Sequence, residues 1–261
     1  MRTRTFKFQA INACRGRGKI ETSAAITAFR KLFTSRGLDT STAWGDNEFE
    51  KVRNHVQPLQ VETVGRGEHV GDVERSIRVC KERVRCTTTS LPCKKYPKIM
   101  IDHNLQEKIF WGNAFAPQDY ISGVSPAGVV LGHPKVNYKQ IRITFGAFAE
   151  VYDGTDNTQK SRSESAIALR PHNNKGSYYF MSLKTGRLIR SDQWRELPID
   201  EWVINRVHEL AEAEGAQELV DGELNFEWEP GNPVLDVEEQ IDEQADILEG
   251  IFDPNDYVQN E

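Results

Sequence analysis

The chain has 261 residues, 38% hydrophobic and 28% charged, an ordinary globular composition with room for one large domain or two small ones. No apolar run approaches the ~20 residues that cross a bilayer, and the basic start Met1-Arg-Thr-Arg-Thr5 is not followed by the apolar stretch of a secretory signal. Cys14, Cys80, Cys86 and Cys93 have neither C-x-x-C spacing nor the density of a disulfide scaffold, so membrane, secreted and zinc-ribbon classes are set aside and an intracellular protein, nuclear or cytoplasmic without a recognised targeting signal, is expected.

Charge is segregated along the chain. Residues 1–140 carry 23 Lys and Arg against 13 Asp and Glu, residues 141–198 carry 9 against 6, and residues 199–261 carry 1 against 20. The net charge of −6 therefore conceals a basic body and an acidic tail. Such a body suits nucleic acid, although solvated surface cations would give the same count.

Residues 1–19 lack a clean period, hold the cluster Arg15-Gly-Arg-Gly-Lys19, and are expected to be poorly ordered. Ala25, Ile26, Phe29, Leu32 and Phe33 recur at helical spacing before Gly37, which predicts a helix over 21–36. Short strands are expected at 38–44 and 59–64, with Gly45-Asp-Asn-Glu-Phe-Glu50 between them. Val70, Val73, Ile77, Cys80 and Val84 form one apolar stripe, and Arg75, Arg78, Lys81, Arg83 and Arg85 crowd the other faces. A second helix is expected over about 97–114 with Ile101, Leu105 and Ile109 inward, then a connecting loop marked by Pro117 and Pro126.

From Ile141 the pattern shifts to strands at 142–152, 166–170, 177–183 and 188–191, separated by turn residues such as Lys184-Thr-Gly186. That density of short strands suggests a small barrel or meander. Trp202, Val203, Val207 and Leu210 restore helical spacing over 199–214. Beyond Gly215 the chain has no Lys or Arg and only scattered apolar residues, so mostly disorder is expected.

Two stretches carry a family resemblance. Gly45-Asp-Asn-Glu-Phe-Glu50, followed by Gly67-Glu-His-Val-Gly-Asp-Val-Glu-Arg-Ser-Ile-Arg-Val-Cys-Lys-Glu-Arg83, resembles the second half of a copia-type retrotransposon integrase core. Phe145-Gly-Ala-Phe-Ala-Glu-Val-Tyr152, Ala166-Ile-Ala-Leu-Arg-Pro171, Gly176-Ser-Tyr-Tyr-Phe180, Thr185-Gly-Arg187 and Ser191-Asp-Gln-Trp194 are similar to the SH3-like module that follows that core. The order is the family's, and the stretches span roughly residues 21–210.

The resemblance implies an α/β fold: a partial ribonuclease-H-like integrase core, then a small SH3-like β-barrel and an acidic, mostly disordered tail. The implied organisation is a poorly ordered 1–19, a truncated core over 20–116, a linker over 117–140, the SH3-like module over 141–198, a helix over 199–214 and the acidic segment over 215–261. Family chemistry uses three carboxylates to hold two divalent cations, Mg2+ or Mn2+, hard ions that prefer oxygen ligands. The resemblance places Asp46 at the second catalytic and metal-binding position and Glu74 at the glutamate. It also assigns Arg75, Arg78, Lys81 and Arg85 to DNA. Spacing alone equally allows Asp46 to be a turn residue and Glu74 an exposed helix residue.

Three departures matter. No Asp precedes Asp39, so the first catalytic aspartate is missing from this chain. No paired His and Cys of the N-terminal zinc module precede the core, and the 28 positions from Asp46 to Glu74 are fewer than the family usually has. His69, beside Glu68, is the only histidine near the implied site and reads as structural. There is no G-x-x-x-x-G-K-[ST] phosphate loop. The sequence thus reads as a catalytically inactive remnant of a retroelement polyprotein that binds DNA, with other polyprotein parts or a second copy as further partners. A host-adopted protein-interaction module and a pseudogene product without function remain as alternatives.

Overall fold

The computed structural model describes residues 1–12, 14, 18–64, 71–115, 123–132, 136–152, 161–172 and 176–216. The expectations for the acidic tail, for the Gly65–Gly67 break and for Val70 and His69 lie outside the described residues. The chain divides into two compact units, Met1–Arg83 with Lys108–Lys135, and Val84–Glu107 with Val136–Glu261.

In the first unit, α1 (Lys19–Thr34) buries Ala25, Ile26, Phe29, Leu32 and Phe33, the five residues its spacing selects. Gly37 follows it at φ +71, a backbone that side chains with a Cβ rarely adopt. Strands β1 (Thr42–Gly45) and β2 (Gln60–Thr63) are parallel, with Thr42 opposite Gln60 and Gly45 opposite Thr63. Parallel neighbours need a crossover, here a 3-10 helix over Asn47–His55. It seals the unit by burying Val52 and, just after it, Val56 against Ile26, Leu59 and Val61.

Residues 1–12 form an arm with contacts of its own. Arg2 and Gln9 form an antiparallel bridge, and Phe8 is 4% exposed with its ring edge-on to Phe33 at 6.0 Å. Asn113 fastens the arm by accepting the Gln9 N–H at 2.8 Å and donating to the Gln9 carbonyl at 2.7 Å. A segment this short, with one inward aromatic, has no period to read.

Helices α2 (Gly71–Ser90) and α3 (Lys98–Ala114) contribute residues to both units. The apolar stripe of α2 is buried only at its far end. Val84 is fully buried, Val73 and Cys80 are half-buried, and Ile77 is 49% exposed. On α3, Ile101 is buried as expected, but Leu105 and Ile109 are half-buried, while Met100, His103, Asn104, Glu107 and Asn113 turn inward. Its apolar and polar residues are mixed around the helix, so no single stripe decides the face. The expected loop at 117–140 contains α4 (Pro126–Leu131). Ser125 accepts the Gly128 N–H at 3.0 Å, Pro126 opens the first turn, and Gly132 ends it at φ +72.

The second unit is a five-stranded antiparallel sheet of β3 (Phe148–Tyr152), β4 (Ser163–Pro171), β5 (Tyr178–Ser182), β6 (Leu188–Ser191) and β7 (Trp194–Leu197), in the order β6-β5-β4-β3-β7. β3 is shorter than expected because Tyr138–Ile141 closes into a 3-10 turn with an Asn137–Gln140 capping box. β7 was not expected as a strand. One face of the sheet carries Ala149, Val151, Ala166, Ala168, Tyr178 and Phe180. The other presents Ile167, Leu169, Tyr179 and Met181 to α3 and to Val203 and Val207 of α5 (Glu201–Ala213). With both faces covered, β5 is buried along its whole length. Gly146, at φ +84, lies where a Cβ would come within 2.4 Å of Leu91, so close packing and backbone both demand glycine there.

Candidate nucleic-acid interface

Asp46 directly follows the carboxyl end of β1, in extended backbone at φ −70 and ψ 169. Its carbonyl accepts the Phe49 N–H at 2.9 Å, and its exposed side chain makes no capping hydrogen bond. Glu74 is exposed in the first turn of α2, the helix that follows β2. The two carboxylates thus belong to segments that leave the carboxyl ends of adjacent parallel strands, where open α/β sheets hold their ligands.

The donor chemistry of this pair suits a hard cation, but its number does not make a two-metal site. Among the described residues, no group of three His, Cys, Asp or Glu side chains could hold a metal ion. Two carboxylates on exposed segments do not fit the two-cation arrangement of the family, and no chemical step is assigned to a metal here.

Arg75, Arg78, Lys81 and Arg85 all project from exposed positions of α2. Over eleven residues they repeat at steps of 3, 3 and 4, so they run along one side of the helix. The N-terminal arm adds cations that sequence reasoning missed. Lys7 pairs with the Asp72 carboxylate at 3.1 Å, and Arg2 donates to the Asp72 carbonyl at 2.9 Å. The Lys7 hydrogen bond and charge, with Arg2, hold the Asp72 carboxyl below its usual range. Arg4 lies over the Trp44 ring at 4.6 Å, two residues before Asp46. The alternation in Arg2-Thr-Arg4 was the available signal: a strand-like arm sends alternate side chains to one face.

The cysteines are unpaired. Burial raises the Cys80 thiol, with Arg83 and Lys108 opposing, so the half-buried thiol on α2 remains protonated and unreactive. No helix among the described residues is long and apolar enough to cross a membrane.

A second polar cluster, in the second unit, was also missed. Arg170 is 3% exposed and His103 is 4% exposed. The Arg170 guanidinium lies over the Tyr179 ring at 4.5 Å, and the His103 ring meets the same tyrosine edge-on at 5.6 Å. Straight alternation along Ala166-Ile-Ala-Leu-Arg170 puts Arg170 on the same face as Ala166 and Ala168. Instead the register with β5 shifts between Ala168 and Arg170. The bulge turns Arg170 onto the Tyr179 face beside Leu169, which is what such an extra residue does to a strand.

No family model matches the chain, and no curated protein matches it.

Proposed function

We propose that this chain is a DNA-binding remnant of a copia-type retrotransposon integrase: part of a ribonuclease-H-like core in the first unit, and an SH3-like module over 141–198. The observation that carries this reading is the order of the first unit. A parallel strand ends at Asp46, its parallel neighbour follows after a short crossover, and the next helix bears Glu74 in its first turn. The basic side of α2 then begins one residue beyond Glu74. The order of the five-stranded sheet, a meander β3-β4-β5-β6 with β7 returning to β3, supports the SH3-like half.

The chemistry follows from what these residues offer. Guanidinium and ammonium groups along α2, with Arg2, Arg4 and Lys7 on the arm, attract the phosphate backbone without reading base edges. Two carboxylates cannot by themselves organise both cations of an in-line phosphoryl transfer, so this chain alone holds DNA and does not join it. The test is duplex DNA incubated with the full chain and Mg2+ or Mn2+, with binding followed by anisotropy and joining by gel. Binding without joined product is expected. Joining abolished by Asp46→Asn and Glu74→Gln would overturn the inactive assignment, and absence of binding at low salt would overturn the DNA assignment.

A further inference from the structure

Arg170 is a cation enclosed by protein without an anion to match it. Its Nη1 donates to the Pro171 carbonyl at 3.3 Å, and its face rests on Tyr179, but Nε and Nη2 meet no hydrogen-bond acceptor. Those two atoms are not an arbitrary pair. Nε–H and Nη2–H point the same way from one edge of the planar guanidinium, the fork that takes both oxygens of a carboxylate or phosphate. Among the described residues Arg170 makes no ion pair.

The surroundings point the same way. His103 leaves Nδ1 unpaired at 4% exposure. Burial, reinforced by the Arg170 charge, keeps its imidazole well below its ordinary value, so it stays neutral and one ring nitrogen can donate. Burial lowers even the Arg170 guanidinium to about 10, with the charge and hydrogen bond of Tyr179 opposing the fall, which still leaves it charged at pH 7. A buried, charged donor with an unused bidentate edge is costly to keep, and a bound anion removes that cost.

We propose that the fork of Arg170, with His103 beside it, is a binding site for a small oxyanion, a carboxylate or phosphate, held inside the second unit. Tyr179 fixes the guanidinium plane from below, His172 packs edge-on to the same ring at 4.9 Å, and Arg190 Nη1 donates to His172 Nε2 at 3.3 Å. The anion would therefore be received by a buried guanidinium packed on an aromatic ring and not by a surface arginine. The site is independent of the DNA reading, since none of its residues lies on the arm or on α2.

The experiment is a titration of the 15N-labelled full chain with formate in one arm and phosphate in the other, with sodium chloride holding ionic strength constant. The readout is the assigned Arg170 Nε–H signal. A saturable displacement is expected, at a half-saturating concentration at least about tenfold below that of chloride, because chloride cannot fill both donors at once. A rise in melting temperature with the logarithm of oxyanion concentration should accompany it. Saturation by formate alone marks a carboxylate site, and by phosphate alone a phosphate site. Arg170→Lys keeps the charge, removes the fork, and should abolish the oxyanion-specific rise in melting temperature. If neither anion displaces the wild-type signal saturably, the proposal is overturned, whatever the variant does.

Discussion

Trp194 and Tyr178 touch across the sheet: their rings stand 5.0 Å apart, centroid to centroid, although β7 and β5 are three places apart in strand order. Neighbouring strands are spaced by ~4.8 Å, so in a flat sheet these residues would be about 14 Å apart. The sheet is therefore rolled, and Trp194 closes it, reaching Phe180 at 5.5 Å and carrying the Arg142 guanidinium at 4.2 Å on its face.

That closure makes Trp194 a stability residue of the second unit. Trp194→Ala should cost about 2–3 kcal/mol, less than a fully buried tryptophan because this one is half-buried. Arg142→Ala should cost about 1 kcal/mol through the lost cation–π contact. Urea unfolding of both variants measures this, and a Trp194→Ala loss under 0.5 kcal/mol would mean the roll is held elsewhere.

Asp102 makes stability depend on pH in the direction opposite to most carboxylates. Burial pushes its carboxyl up to about 6, with Glu214 adding to the rise and Lys98 opposing it. Glu214, which accepts the Lys98 N–H at 2.6 Å, is raised as well. The folded state thus binds these protons more tightly than the unfolded state, so stability falls as pH rises from about 4 to 6 and levels off above. Asp102→Asn should flatten that fall by on the order of 2 kcal/mol. Parallel melting curves at pH 4.5 and 7 decide it: an unchanged difference in Asp102→Asn removes Asp102 as the cause.

Helices α1 and α2 show where the sequence was readable and where it was not. α1 was legible because five apolar residues at helical spacing meet one core. On α2 the same signal gave the helix but not its burial, because spacing reports a stripe and not whether anything covers it; Ile77 remains half in solvent. β7 escaped notice because Trp-Arg-Glu-Leu has no β-branched residue and its pairing partner β3 lies more than forty residues earlier in the chain. Asp46 and Glu74 could be placed on their elements from the sequence, whereas Arg170 could not, since a bulge that reverses a side chain is set by tertiary packing.

The acidic segment gives a prediction from charge alone. Residues 217–261 carry no Lys or Arg, so on the proposed DNA-binding reading a surplus of carboxylates on the same chain would compete with phosphates for its cations. Deleting 217–261 should tighten DNA binding severalfold at low salt, with the gain lost at high salt as screening sets in. Anisotropy titrations of both chains measure it, and equal affinity at low salt would show that the segment is no competitor.

The most direct measurement is the salt dependence of DNA affinity for the parent chain and for Arg75→Ala/Arg78→Ala/Lys81→Ala/Arg85→Ala. Each neutralised phosphate contributes about −0.9 to the slope of log affinity against log salt. The parent should bind duplex DNA without sequence preference, and the four substitutions should make the slope shallower by about 3 to 4 units while the helix stays folded. A slope unchanged by the substitutions, or a parent chain that does not bind DNA at low salt, would contradict α2 as the DNA-facing element.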